Sequence, residues 1–111
     1  MGFIKPANNV IFIEQKIEDN FNSLNENDWL KKALNRSIQN LKVNIFCGEN
    51  IPKRLIPIIY IQKYQIDNLY HYNLPNGWRI VYTIITLENK ECLAVIIEYF
   101  SHPEYEKRFH Y

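Results

Sequence analysis

The sequence predicts an α+β fold in which an N-terminal strand and a helical hairpin pack on a mainly antiparallel, four-stranded sheet. Two observations carry that prediction. From Asn68 to Tyr111, three runs rich in Tyr, Ile and Val are separated by Pro75-Asn76-Gly77 and by Glu88-Asn89-Lys90-Glu91, the signature of a strand-turn-strand-turn-strand meander. Ahead of it, Trp29, Leu30, Ala33, Leu34, Ile38 and Leu41 recur at helical spacing, an apolar stripe that needs a surface to cover.

The chain has 111 residues, enough for a single domain over residues 1–111 with one modest core. Hydrophobic residues make up 47%, and there are only 3 Gly and 5 Pro, so burial can offset the entropy of ordering the chain. A formal net charge of +1 argues against a protein that coats nucleic acid without specificity and leaves room for a local basic patch. Cys47 and Cys92 show no paired spacing and are expected to be free thiols in a reducing compartment. The start, Met1 to Pro6, has no leader pattern, and no apolar run approaches the roughly 18 residues of a membrane span. A soluble cytoplasmic protein with no membrane association is the expectation.

The first strand is expected at Asn9 to Glu14, where Val10, Ile11 and Ile13 form a β-branched run. Ile17, Phe21 and Leu24 then fall at spacings of four and three, which predicts a helix over about Gln15 to Ser23. The Asn-rich stretch Asn22 to Asn27 ends it, because Asn competes for the backbone. Asn27 or Asp28 caps the next helix, which runs to about Lys42 with Lys31, Lys32, Asn35, Arg36, Gln39 and Asn40 on its solvated face. Between Val43 and Asp67 the pattern is weaker: Gly48-Glu49-Asn50 reads as a loop. Pro57 suits a first helical position for a short helix to Tyr64, with a strand as the alternative.

The meander strands are expected at Leu69 to Leu74, Trp78 to Leu87 and Cys92 to Ser101. A period of two puts Trp78, Ile80, Tyr82 and Ile84 on one face of the middle strand and Arg79, Val81, Thr83 and Ile85 on the other. The third strand is apolar on both faces from Ala94 to Ile97 and should be central. Glu98 and His102 would share a face at its end, about 13 Å apart and out of contact, unless a bulge intervenes. An arginine early in the middle strand and His102-Pro103-Glu104-Tyr105 after the third put polar, reactive groups at one end of an apolar sheet. No cofactor is expected and no metal, since His71, His102 and His110 lie at no recognisable ligand spacing from Cys or carboxylates.

The order strand, helical hairpin, linker, meander, together with Gly77-Trp78-Arg79-Ile80-Val81-Tyr82 and the ending Ser101 to Phe109, resembles the RelE/ParE superfamily of toxins from type II toxin-antitoxin systems. The first segment is similar to the x-R-φ-φ-Y strand of the RelE branch (φ apolar), and His102 and Tyr105 to its H-x-x-Y close. The resemblance implies a metal-independent endoribonuclease that cuts mRNA, on the ribosome in many relatives, by attack of a ribose 2′-hydroxyl on the adjacent phosphate. It implies neutralisation by a cognate antitoxin protein. Arg79 would clamp the phosphoryl oxygens, since a guanidinium offers a planar donor fork and stays protonated. His102 would carry a proton near neutral pH, and Tyr105 would stack on a base or donate a proton. Lys53, Arg54 and Lys63 fall in the linker where relatives place lysines on the RNA backbone. The near-neutral charge departs from the strongly basic ribosome-dependent members and weakens phosphate-driven affinity. The alternative within the same fold is a ParE-like toxin that binds gyrase without nuclease chemistry, or an antitoxin- or RNA-binding module. His102 beside Arg79 favours the nuclease, because a binding module needs no proton carrier.

Overall fold

The β-branched run after Asn9 forms strand β1 (Asn9–Phe12) in the computed structural model, which describes residues 4–110. It ends two residues early because Glu14 turns out to cap helix α1 (Gln15–Ser23). In the Asn-rich turn that follows, Asn25 Oδ1 accepts from the Asn27 backbone N–H at 2.8 Å, the local competition that stops a helix. Asp28 then caps α2 (Trp29–Val43), its Oδ1 accepting from Leu30 N–H at 2.8 Å.

Among the described residues the sheet has five strands rather than four. Its order is β1-β5-β4-β3-β2, with β2 at Glu49–Asn50, β3 at Tyr70–Asn73, β4 at Arg79–Thr86 and β5 at Cys92–Phe100. β1 runs parallel to β5, and every other neighbouring pair is antiparallel. The additional strand, β2, lies in the stretch expected to be a loop. Two residues carry no period to recognise, and what holds them is outside the segment. Tyr82 Oη donates to Ile45 O at 2.9 Å and accepts from Gly48 N–H at 3.0 Å, drawing the chain against the sheet just before Glu49 pairs with His71. A side chain at Gly48 would begin 2.6 Å from His71 O, so only glycine allows that approach.

Helices cover both faces. Phe21, Leu30, Leu34 and Leu41 of α1 and α2 bury Ile80, Tyr82, Ala94 and Ile96 on one face, as the stripe and the alternation of β4 require. On the other, α3 (Ile58–Tyr64) and α4 (His102–Phe109) bury Leu69, Val81, Ile97 and Phe100 under Tyr60, Tyr105 and Phe109. Pro57 stands one residue outside α3, as its cap. Trp29 is 43% exposed and meets Trp78 edge-on at 6.0 Å, so it closes the rim of the helical hairpin rather than its centre. Lys31, expected on the solvated face, is buried. Its Nζ donates to Phe21 O at 2.8 Å and lies 4.1 Å from that ring's centroid, a cation held by a helix C-terminal carbonyl and a π face.

The end of β5 differs from expectation in two ways with one consequence. The register against β4 shifts between Val81 and Tyr82, where Val81 faces Glu98 and Tyr82 faces Ile96, so Ile97 is the extra residue of a β-bulge. Glu98 thereby turns to the face covered by α3 and α4. The strand also stops at Phe100, and His102 opens α4 instead of ending a strand face. Ser101 at the cap, Pro103 and Glu104 in the first turn, and Lys107 and Arg108 in the last turn are the helix signals for this segment.

Candidate active site

The β3–β4 hairpin brings Arg79 and His71 onto the face covered by α4. Asn73 pairs with Arg79 and His71 with Val81, which makes His71 and Arg79 diagonal neighbours, about 7–8 Å apart in a regular ladder. Beneath them lies Tyr105. The Arg79 guanidinium carbon is 4.4 Å from its ring centroid, and the His71 ring meets it edge-on at 6.3 Å. Tyr105 is itself fixed by stacking on Phe109 at 4.3 Å and by an edge contact with Phe100 at 5.7 Å. It is 1% exposed, so its ring is the floor beneath Arg79 and has no free face for a base.

His71 contributes to this cluster although its spacing in the sequence marks it for nothing. Its side chain is 13% exposed, Nε2 is 3.3 Å from Glu49 Oε2, and the buried Nδ1 has no well-aligned hydrogen bond. Burial, and then the charge of Arg79, hold its pKa below the ordinary histidine value. Glu49 and the side chain of Asn73 act in the opposite direction. The net direction favours the neutral ring. The signal available in the sequence was positional: the alternation that puts Arg79 on the α4 face puts the odd residues of the preceding strand, His71 and Asn73, beside it.

His102 is at the same end of the sheet. It is the first residue of α4, packed so closely on the hairpin turn that a Cβ on Gly77 would sit 3.2 Å from its own Cβ, and Gly77 has φ of +77°. Both reasons select glycine there. The His102 side chain is 54% exposed, and Nε2 is 2.6 Å from Glu106 Oε1, one helical turn on. The contact turns Nε2 toward that carboxylate.

Of the expected backbone contacts, Lys53 and Arg54 form an exposed single turn (Lys53–Leu55) after β2. Lys63 lies on α3, 3.4 Å from Glu14 and 5.4 Å from the Tyr64 ring centroid. It faces a cleft of about 190 Å³ whose other polar walls are Glu14, Lys16, Tyr60, Tyr64, Glu98 and Arg108. There Tyr60 Oη donates to Glu98 Oε1 at 3.0 Å, Tyr64 Oη donates to Glu14 Oε2 at 2.6 Å, and Arg108 Nη2 donates to Glu98 Oε2 at 3.4 Å. Burial first, and Glu98 second, push the Tyr60 hydroxyl far above the usual range, so it is a fixed donor. This cleft ties α3, α4 and β5 together, and the bulge at Ile97 is what aims Glu98 into it.

Among the described residues there is no group of three or more His, Cys, Asp or Glu arranged to hold a metal ion. Nor is any helix among them long and apolar enough to cross a membrane. No known protein family, curated protein or solved structure matches the chain.

Proposed function

We propose that the chain is a RelE-like toxin of the cytoplasm, a metal-independent endoribonuclease that cleaves mRNA and is silenced by a cognate antitoxin. The observation that supports this most is the pairing, at one end of the sheet, of an arginine seated on a buried aromatic with an exposed histidine oriented by a carboxylate. A guanidinium fixed in this way meets phosphoryl oxygens with little ordering left to do, and an oriented imidazole is suited to moving a proton.

In the proposed reaction the ribose O2′ forms a bond to phosphorus as the bond from phosphorus to O5′ breaks, giving a 2′,3′-cyclic phosphate and a 5′-hydroxyl. The 2′-hydroxyl proton goes to a base, and the leaving O5′ receives one from an acid. Arg79 balances the charge that grows on the phosphoryl oxygens. His102 serves one of the two proton transfers, and Glu106 holds its ring. Tyr105 supports Arg79 from below rather than touching RNA. Lys53 and Arg54, exposed beyond the edge strand, would extend the contact along the RNA backbone on or off the ribosome.

The test is purified protein on a defined mRNA, with and without ribosomes and in EDTA, followed by mapping of new 5′ ends. Cuts bearing 5′-hydroxyls are expected, and those made without ribosomes should be undiminished by EDTA. Growth arrest on expression with intact mRNA and damaged DNA would replace this reading with gyrase binding.

A further inference from the structure

We propose that His71 is the proton-linked half of the anion site at Arg79: it takes up a proton when a phosphodiester binds there, and so becomes a second cationic donor to it. The inference rests on the reading of Arg79 as a phosphate-binding group.

Two features of the geometry carry it. His71 and Arg79 are diagonal neighbours on one sheet face over one ring, Tyr105, a separation that a phosphate, with an oxygen toward each, can bridge. The imidazole is also loosely held: Nδ1 is buried without a well-aligned hydrogen bond, the Asn73 side chain being a polar neighbour of the ring, while Nε2 points toward Glu49, whose side chain is 74% exposed and free to swing aside. A buried polar atom without a well-aligned hydrogen bond calls for an explanation, and a protonation state the protein adopts only with its ligand supplies one.

The groups facing His71 set the sign. Burial opposes protonation most, and from β4 the Arg79 charge opposes it too. From β2, Glu49 favours it, and so does the Asn73 side chain on β3. α4 presents the buried ring of Tyr105. An anion on Arg79 cancels the main opposing charge, so the His71 pKa rises on binding. By linkage the anion then binds more tightly as pH falls.

The probe is a short RNA with 2′-O-methyl riboses, which cannot be cleaved, titrated into wild type, Arg79→Gln and His71→Gln. Calorimetry in two buffers of different ionisation enthalpy reads proton uptake, and the His71 Hε1 resonance reads its titration directly. Expected are uptake of a fraction of a proton by wild type, a His71 midpoint that moves to higher pH with RNA, and a smaller uptake in His71→Gln. Binding that requires Arg79 but leaves the His71 midpoint in place overturns the inference while the reading of Arg79 survives. Equal affinity of wild type and Arg79→Gln overturns that reading, and with it the site on which His71 would act. The resonance is measured in wild type, so the result holds even if His71→Gln folds poorly.

Discussion

The guanidinium of Arg79 lies over the ring of Tyr105 at 4.4 Å, and that ring is 1% exposed. A partly exposed function is thus mounted on a buried one, and the two residues should respond to substitution in opposite ways. Arg79→Ala removes a charge from the site and little from the core. It should lower kcat on the order of 10²–10³-fold, the usual loss for an electrostatic donor to a transition state, with little change in melting temperature. Tyr105→Ala leaves a cavity against Phe100 and Phe109 and should cost about 3–5 kcal/mol, as for other large aromatics. Arg79→Lys keeps the charge without the planar stack and should fall between wild type and Arg79→Ala in rate. If Arg79→Ala unfolds the protein, the guanidinium belongs to the structure and the nuclease proposal loses its main support.

His102 and Glu106 separate proton transfer from orientation. Replacing His102 by Gln keeps a hydrogen-bonding group but removes the titrating one, and should cost about 10²–10⁴-fold in rate. Glu106→Gln leaves the imidazole in place with a weaker hold on Nε2, and should cost less. Neither should change stability by more than about 0.5 kcal/mol, since both side chains are well exposed. Wild-type cleavage by His102→Gln would make His102 a helix-end residue only.

Glu98 probes the bulge. Its carboxylate receives the buried Tyr60 hydroxyl and pairs with Arg108, whose Nε lies 3.2 Å from Oε1 without the alignment of a hydrogen bond. Glu98→Ala strands the Tyr60 hydroxyl and should destabilise by about 1–3 kcal/mol, whereas Glu98→Gln retains an acceptor and should cost less. Chemical denaturation of the three proteins decides it. Equal stability of Glu98→Ala and wild type would show that Tyr60 finds water in the cleft instead.

How far the sequence revealed this arrangement depends on whether each feature was local. Helices α1 and α2 and the alternation of β4 were legible, because each rests on a period that its own residues carry. The start of α2 was legible to within one residue, Asn27 or Asp28, and Asp28 is the cap. Strand β2 was not, since the chain just before it is held at Gly48 by Tyr82, 34 positions away. Lys31 reads as surface because nothing local announces that Phe21 will offer it a carbonyl and a ring. Helix α4 did leave a local trace, in Ser101, Pro103 and the Tyr105/Phe109 spacing, which the long apolar run of β5 obscured. At the site, Arg79 and His102 stood out by type and position. His71 did not, because its meaning comes from a cross-strand diagonal.

The pH dependence of stability tests the state of His71 without reference to any ligand. Its pKa in the folded protein is lowered, by burial first and by Arg79 second. Between that value and the unfolded value of about 6.5 the unfolded chain binds more protons, so stability rises with pH there. The contribution of the neutral ring is complete above about pH 6.5, declines as pH falls below it, and is gone once pH passes the folded value. Glu14, whose pKa is lowered chiefly by the Tyr64 hydroxyl, acts in a separate and more acidic window, below its ordinary 4.5. Thermal melts between pH 5 and pH 8 therefore isolate histidine behaviour. Wild type should lose melting temperature from pH 7.5 to pH 5.5, and His71→Gln should lose less over the same interval, whatever its stability at pH 7.5. A wild-type curve that is flat, or that rises toward pH 5.5, would mean that His71 is not held neutral between Glu49 and Arg79, and would remove the basis for its proton uptake on binding an anion.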